Sequence, residues 1–298
     1  MPDAGNSTVA NRVASQAVSL ATTWSTAIGI DAPIVNAPMG GAAGGTLAAA
    51  VSAAGGLGMI GMGSSATPEL LRHELDAMGN VDRPFGIGLV HWVMADQPEL
   101  LDVALAAGPA LLSVSFGEDW TWVHRAHDVG VTVTTQVATV EAARRAVDAG
   151  VDVLVARGAE GGGHGEPVIG TLPLLAEVLD QVEVPVLAAG GISSARGVAA
   201  VLAAGAAGAW VGTLFATCAE ALTPAPARDA LVAGTETELT REFDIAAGYR
   251  WPATIPERVL RGTPVNAGQG IGSVTQVRSA ADTLAQLCAG AEALLRRW

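Results

Sequence analysis

A chain of 298 residues, half of them hydrophobic but only 4% aromatic and including 37 glycines, can bury one large core and suits small side chains packed between helices and strands. Its formal net charge is −13 and arginine supplies all 16 basic residues, so no basic stripe exists for a nucleic-acid backbone or an anionic membrane, and neither is expected as a partner. Cys218 and Cys288 form neither a disulfide framework nor a metal-ligand pattern and read as buried thiols.

From the amino end, residues 1–25 lack a basic start and a continuous apolar block, so they do not read as a secretory signal and a cytoplasmic location is expected. The first predicted strand, PIVNA from Pro33, opens an uncharged stretch over 32–68 whose glycines and turn residues argue against a membrane span. LGMIG from Leu57, FGIGLV from Phe85, ALLSVS from Ala110 and VTVTTQV from Val131 follow. DVLVA from Asp152, PVLAA from Pro185 and GAWVG from Gly208 continue the same spacing, one strand–helix unit each. Helical punctuation lies between them. TPELLRHELDAM has Thr67 as cap and Pro68 at the first helical position, TVEAARRAVDAG runs from Thr139 to Gly150, and SSARGVAAVLAAG runs from Ser193 or Ser194 to Gly205. A second uncharged stretch, 197–219, divides at AAGAAG into a helix and a strand.

Eight such units predict an α/β protein with a (β/α)₈ TIM barrel over residues 1–220, its chemistry on the loops that follow the strands' carboxyl ends. Over 221–275 the rhythm breaks into turn-rich sequence with no ninth unit, expected to cap the barrel mouth. Residues 276–298 are expected to form a final helix from about Ser279 against the barrel.

The loops nominate residues. After the first strand, Ala37, Pro38, Met39 and Gly40 let the backbone approach a flat ring. His91, following the third strand beside Trp92, is a candidate substrate contact, as are Tyr249 and Gln269 further on, with Trp251 shaping the pocket. Gln136, near the end of the fifth strand, offers an amide that both donates and accepts. The sixth loop, ARGAEGGGHGEP, sets His164 among glycines that include Gly158 and Gly163, where an imidazole beside a ligand can take a proton near neutral pH. Glu160 and Glu166 flank it, either orienting the ring or simply solvated. Gly190 and Gly191 after the seventh strand, and Gly212 and Thr213 after the eighth, either make tight turns or bind a phosphate dianion through backbone N–H groups. His124 and His127 have an HxxH spacing but no third ligand, and His73 reads as solvated, so no metal site is expected.

Taken in order, GIDAPIVNAPMGGAAGGTLAAAVSAAGGLGMIG, RPFGIGLV, DVLVARGAEGGGHGEP, PVLAAGGISSARGVAAVLAAGAAGAWVGTLF and NAGQGIG resemble the nitronate monooxygenase family, formerly the 2-nitropropane dioxygenases, over nearly the whole chain. The resemblance implies FMN at the barrel mouth, its phosphate on Gly190, Gly191, Gly212 and Thr213 and its ring near Ala37 to Gly40, with His164 as the family's histidine. It implies a small-molecule substrate and O₂ as partners. An alkyl nitronate is oxidised to a carbonyl compound and nitrite, the histidine deprotonates a neutral nitroalkane, and the redox chemistry belongs to the flavin. One departure is Gly88, where many relatives carry asparagine. A similar GGHGE segment occurs on the same scaffold in FMN-dependent enoyl-ACP reductases and NADH:quinone reductases, so an NAD(P)H-using reductase is the alternative, and a flavin-binding protein without turnover is a third. Whether the chain forms a homo-oligomer is left open.

Overall fold

The computed structural model describes residues 20–297; residues 1–19, which hold most of the stretch weighed as a signal, lie outside the described residues. All eight predicted barrel strands are present: β1 (Ile34–Asn36), β2 (Gly58–Gly61), β3 (Phe85–Val90), β4 (Leu111–Ser115), β5 (Thr132–Val137), β6 (Val153–Arg157), β8 (Val186–Ala189) and β9 (Gly208–Val211). A two-residue strand, β7 (Gly163–His164), intervenes within the sixth loop. The eight pair in parallel, in the order β1-β9-β8-β6-β5-β4-β3-β2. Closure comes from a parallel bridge between Val35 and Leu57, with the Leu57 N–H donating to Ile34 O at 3.0 Å. Where β1 and β2 part, the fully buried Asn36 side chain continues the ladder in place of backbone, donating to Met59 O at 2.9 Å and accepting from Met59 N–H at 2.8 Å.

Alternation along each strand divides the core into two layers. Val153, Val155, Leu187, Ala189 and Trp210 fill the barrel interior with Leu57, Met59 and Leu111. Leu154, Ala156, Val186 and Ala188 face the surrounding helices. Burial on both faces is why these strands read as unbroken apolar runs rather than as alternating polar and apolar residues. Trp24, on a capped helix Thr23–Ile28, plugs the amino-terminal end beside Gly208.

The surrounding helices start where side chains can satisfy their free N–H groups. Thr67 accepts from Leu70 N–H to open Pro68–Met78, and Thr139 accepts from Ala142 N–H to open Val140–Asp148. Ser194, not Ser193, caps Ala195–Ala203. Ser279 caps the C-terminal helix Ala280–Leu295, which lies on Ala195–Ala203 so closely that a Cβ at Gly290 would come within 2.5 Å of the Ala195 Cβ. No helix among the described residues is long and apolar enough to cross a membrane.

The segment after residue 220 is more ordered than its turn-rich sequence predicts. It holds a helix, Ala225–Ala233, and an antiparallel hairpin of β10 (Thr237–Thr240) and β11 (Glu257–Leu260). β11 also pairs antiparallel with β7, placing His164 opposite Glu257 and Gly163 opposite Arg258. The cap and the histidine loop are therefore one three-stranded sheet. The Trp251 indole N–H, bonded to Ser64 Oγ at 2.9 Å, and an Arg250–Asp96 ion pair fasten it to the barrel.

Candidate active site

The carboxyl ends of the strands and the inner side of the cap enclose one cavity of about 800 Å³. Its floor includes Ala37, Pro38, Met39 and Gly40, drawn tightly onto the neighbouring strand ends: a Cβ at Gly61 would lie 2.3 Å from the Pro38 carbonyl carbon, and one at Gly88 2.3 Å from the Pro38 Cβ. Gly88 is thus required by Pro38, and a longer side chain in its place could not enter without moving that floor. Gln136 lines the cavity beside them, its backbone N–H given to Ser115 Oγ.

The glycine turns at the seventh and eighth strand ends differ in what demands them. Gly190 and Gly191 have φ of 116° and 65°, and a Cβ at Gly190 would come 2.5 Å from Thr171 Oγ1, so backbone conformation and packing both call for glycine there. Gly212 has an ordinary negative φ, and a Cβ on it would meet nothing nearer than Met39 Sδ at 3.6 Å. The fold tolerates a side chain at 212; the cavity would lose the space. Thr213 follows, accepting the Gly268 N–H on its Oγ1 at 3.0 Å.

In the sixth loop much of the glycine requirement comes from a buried cation rather than from a ligand. Arg157, at the end of β6, turns under the loop and donates from Nη2 to the carbonyls of Gly161, Gly162 and Gly163 at 3.0, 3.2 and 3.1 Å. A Cβ at Gly165 would sit 2.1 Å from Arg157 Nη1, and one at Gly162 would strike Gly268 N at 2.6 Å. Burial lowers the Arg157 pKa to about 10, which still leaves a cation at neutral pH. Arg258 braces the same loop through Ala159 O.

His164 is held at its edge and on one face. Its Nε2 lies 2.8 Å from Asp244 Oδ2, and its ring stacks on Trp251 at 3.7 Å between centroids, 8° from parallel. Trp251 is in turn met edge-on by Phe116 and Trp92. Burial pushes the His164 pKa below the usual imidazole value, and Asp244 pulls against that shift. Glu257, across the sheet register, is buried, and its Oε1 has no hydrogen-bond partner among the described residues. Desolvation first and the neighbouring Asp244 second lift its carboxyl to about 7. Ligand-type atoms of His164, Asp244 and Glu257 all lie within 4.8 Å of one another, with the His164 Nε2 engaged by Asp244.

Of the predicted site residues, the structure gathers Ala37, Pro38, Met39, Gly40, Gln136, Gly163, His164, Gly190, Gly191, Gly212, Thr213 and Tyr249 on this cavity. Three others lie elsewhere. His91 begins a short helix, His91–Asp96, and its ring packs on Gly117, where a Cβ would come within 2.0 Å of it. Gln269 is on an exposed 3₁₀ turn and lines a second cavity of about 420 Å³ beyond the Gly190–Gly191 turn. Gly158 is buried behind that turn, its N–H spent on Ala189 O. Glu160 does not orient His164; it accepts from the Thr171 N–H and hydroxyl, both at 2.8 Å. Glu166 is exposed, and burial pushes the thiols of Cys218 and Cys288 up to about 11.

Residues that sequence reasoning did not nominate are Arg157, Asp244, Glu257 and Phe116. Phe116 is the one non-glycine among the described residues with a left-handed backbone, φ 71°, and it lines the cavity at the end of β4. Such a conformation costs a bulky residue about 1–2 kcal/mol, which packing against Trp251 must offset.

The nitronate monooxygenase family model matches residues 22–106 and 90–249. A (3aS,4S,5R,7aS)-5-hydroxy-7a-methyl-1-oxo-octahydro-1H-indene-4-carboxyl-CoA dehydrogenase of Rhodococcus jostii is 31% identical over 88% of this chain and 72% of its own length. A nitronate monooxygenase of Pseudomonas aeruginosa is 32% identical over 68% of this chain and 71% of its own, while another curated relative is spanned over only 50% of its length. Among solved structures, a nitroalkane oxidase of Streptomyces ansochromogenes superposes with a TM-score of 0.79 at 28% identity, over 92% of this chain and 99% of that one.

Proposed function

The chain belongs to the nitronate monooxygenase family of flavin-dependent oxidoreductases, and on that premise we propose that it binds FMN at the barrel mouth and oxidises alkyl nitronates or nitroalkanes with O₂ to carbonyl compounds and nitrite. The observation that carries this reading is one cavity with a partly buried imidazole on one wall and side-chain-free turns at 190–191 and 212 on another. Gly212 is the fit test for the cofactor: the fold leaves room for a Cβ there, so the bare backbone makes sense as a surface for a phosphate. Gly190, Gly191, Gly212 and Thr213 would hold that phosphate, Ala37 to Gly40 would lie under the ring, and Gln136 and Gly163 would approach its edge. In this scheme residues 1–220 carry the cofactor, 221–275 close over the substrate, and 276–298 brace the barrel.

When bound, the flavin accepts the electrons of the oxidised substrate and passes them to O₂. The protein's share is proton handling and placement. His164, uncharged at neutral pH because burial lowers its pKa, takes the proton from the carbon bearing the nitro group. Trp251, itself backed by Phe116, fixes the plane of the imidazole and covers one of its faces. Tyr249, half-exposed on the cap, would meet the substrate's outer end.

A second reading rests on the similarity to a CoA-thioester dehydrogenase. The carbon next to a thioester carbonyl is also acidic, and the same base would serve it. One anaerobic experiment separates these readings and the reductase alternative: purified protein is mixed in turn with propyl nitronate, an acyl-CoA and NADH while the visible spectrum is followed. Bleaching by nitronate without NADH, followed by nitrite formation on admitting O₂, is expected. Bleaching only by NADH or only by the thioester would replace the first reading.

A further inference from the structure

Asp244 lies 80 residues from His164 in sequence, on the short helix Glu242–Ala247, yet the two side chains meet at 2.8 Å with only 15% of the imidazole and 7% of the carboxylate side chain exposed. Glu257 reaches the same point from β11, paired in register with His164. Building on the reading of His164 as the base, we propose that Asp244 and Glu257 are positioning residues that hold one proton between them. Asp244 stays ionised and takes the His164 Nε2–H, Glu257 stays neutral beside it, and Nδ1 is left to accept the substrate's proton.

The assignment follows from counting donors. A carboxylate only accepts, so an imidazole nitrogen hydrogen-bonded to an ionised Asp244 must carry the hydrogen, and a neutral ring has just one. Two buried carboxyls so close together cannot both ionise cheaply without a cation between them. None is supplied among the described residues. Arg157, from β6, gives Nη2 to three loop carbonyls, and Arg258, next to Glu257 on β11, points to Ala159 O and Thr237 Oγ1. Glu160 is engaged with Thr171. Of the two acids, Asp244 has the imidazole donor, whereas Glu257 has one oxygen without a partner and only a backbone hydrogen bond from Asp244 to favour its charge, which its desolvation outweighs, so the proton belongs on Glu257. The elevation of the Glu257 carboxyl to about 7 has the same direction, with the proton fully held below neutrality and leaving as the pH rises through 7.

The test is ¹⁵N NMR of histidine-labelled protein, as purified, with the His164 signals identified by their loss in His164→Gln. The wild type is expected to show a protonated Nε2 and a bare Nδ1 at neutral pH. In Asp244→Asn the ring should titrate at lower pH, since Asp244 is what holds its proton affinity up, while Glu257→Gln should preserve the tautomer. Turnover supplies a second readout that a merely structural role would not move: a neutral nitroalkane needs a base and a preformed nitronate does not. Asp244→Asn should slow the former about 10- to 100-fold and the latter far less, with Asp244→Glu recovering part of the loss. A wild-type ring protonated on Nδ1, or an unchanged titration in Asp244→Asn, overturns the pairing even if nitroalkanes are turned over. An intact Nε2–H tautomer in a protein inert to nitroalkanes and nitronates overturns the functional reading and leaves the pairing standing.

Discussion

The barrel and the cap solve opposite problems. In the barrel, strands buried on both faces by small apolar residues leave backbone as the material at the mouth, and the surfaces suited to a cofactor are peptide turns at 190–191 and 212. In the cap, short elements add apolar anchors such as Leu231, Ile255 and Leu260 to the core and also deliver functional side chains: Asp244, Trp251 and Glu257 all converge on a histidine that the barrel loop offers. The division suggests that cofactor retention and stability should respond to changes in the barrel, and proton chemistry to changes in the cap.

Removing the imidazole is the strongest way to test that division. His164→Ala should cut turnover of neutral nitroalkanes about 10²- to 10⁴-fold while the flavin spectrum and melting temperature hold; equal loss of flavin would mean that the two regions are not separable. On the barrel side, Leu187→Ala opens a hole in a fully buried layer and should cost about 2–5 kcal/mol in denaturant titrations, without altering the preference between nitroalkane and nitronate in protein that remains folded. Gly212→Leu sharpens the comparison within the barrel. A Cβ there meets nothing closer than 3.6 Å and φ is negative, so the loss of stability should be small beside the fall in FMN affinity, about tenfold or more, close to 1.4 kcal/mol; full retention of FMN would remove that turn from the cradle.

The smallest effect is a pH dependence of stability. Glu257 has a folded pKa raised to about 7 from 4.5, so its contribution is fully present below 4.5 and is lost as the pH rises through 7. Glu257→Gln should therefore lose less stability than the wild type between pH 5 and pH 8. Parallel unfolding curves for the two proteins would argue that the carboxyl is already solvated.

The same contrast explains what was legible in the sequence. Barrel strands announce themselves because double burial selects continuous Val, Leu and Ala runs, and helix starts such as Thr67, Thr139 and Ser279 are marked by local capping chemistry. His164 could be found because it sits on a strand-end loop. Its partners could not, since β7, β10 and β11 span two to four residues each and pair across distances along the chain that no periodicity records. His91 illustrates the limit of placing a residue by strand end alone: β3 runs through Val90, and the next residue already turns into a helix packed on Gly117. Gln269 likewise falls on the far side of a thin peptide turn from the main cavity.

Phe116 stands where these two halves touch, a barrel residue in a backbone shape that favours glycine, bearing edge-on against the indole that backs the imidazole. Its ring works as a doorstop: the strand end accepts local discomfort so that its neighbour rests at one angle. Phe116→Gly should accordingly relax the backbone while loosening Trp251, leaving a histidine whose aim is less certain.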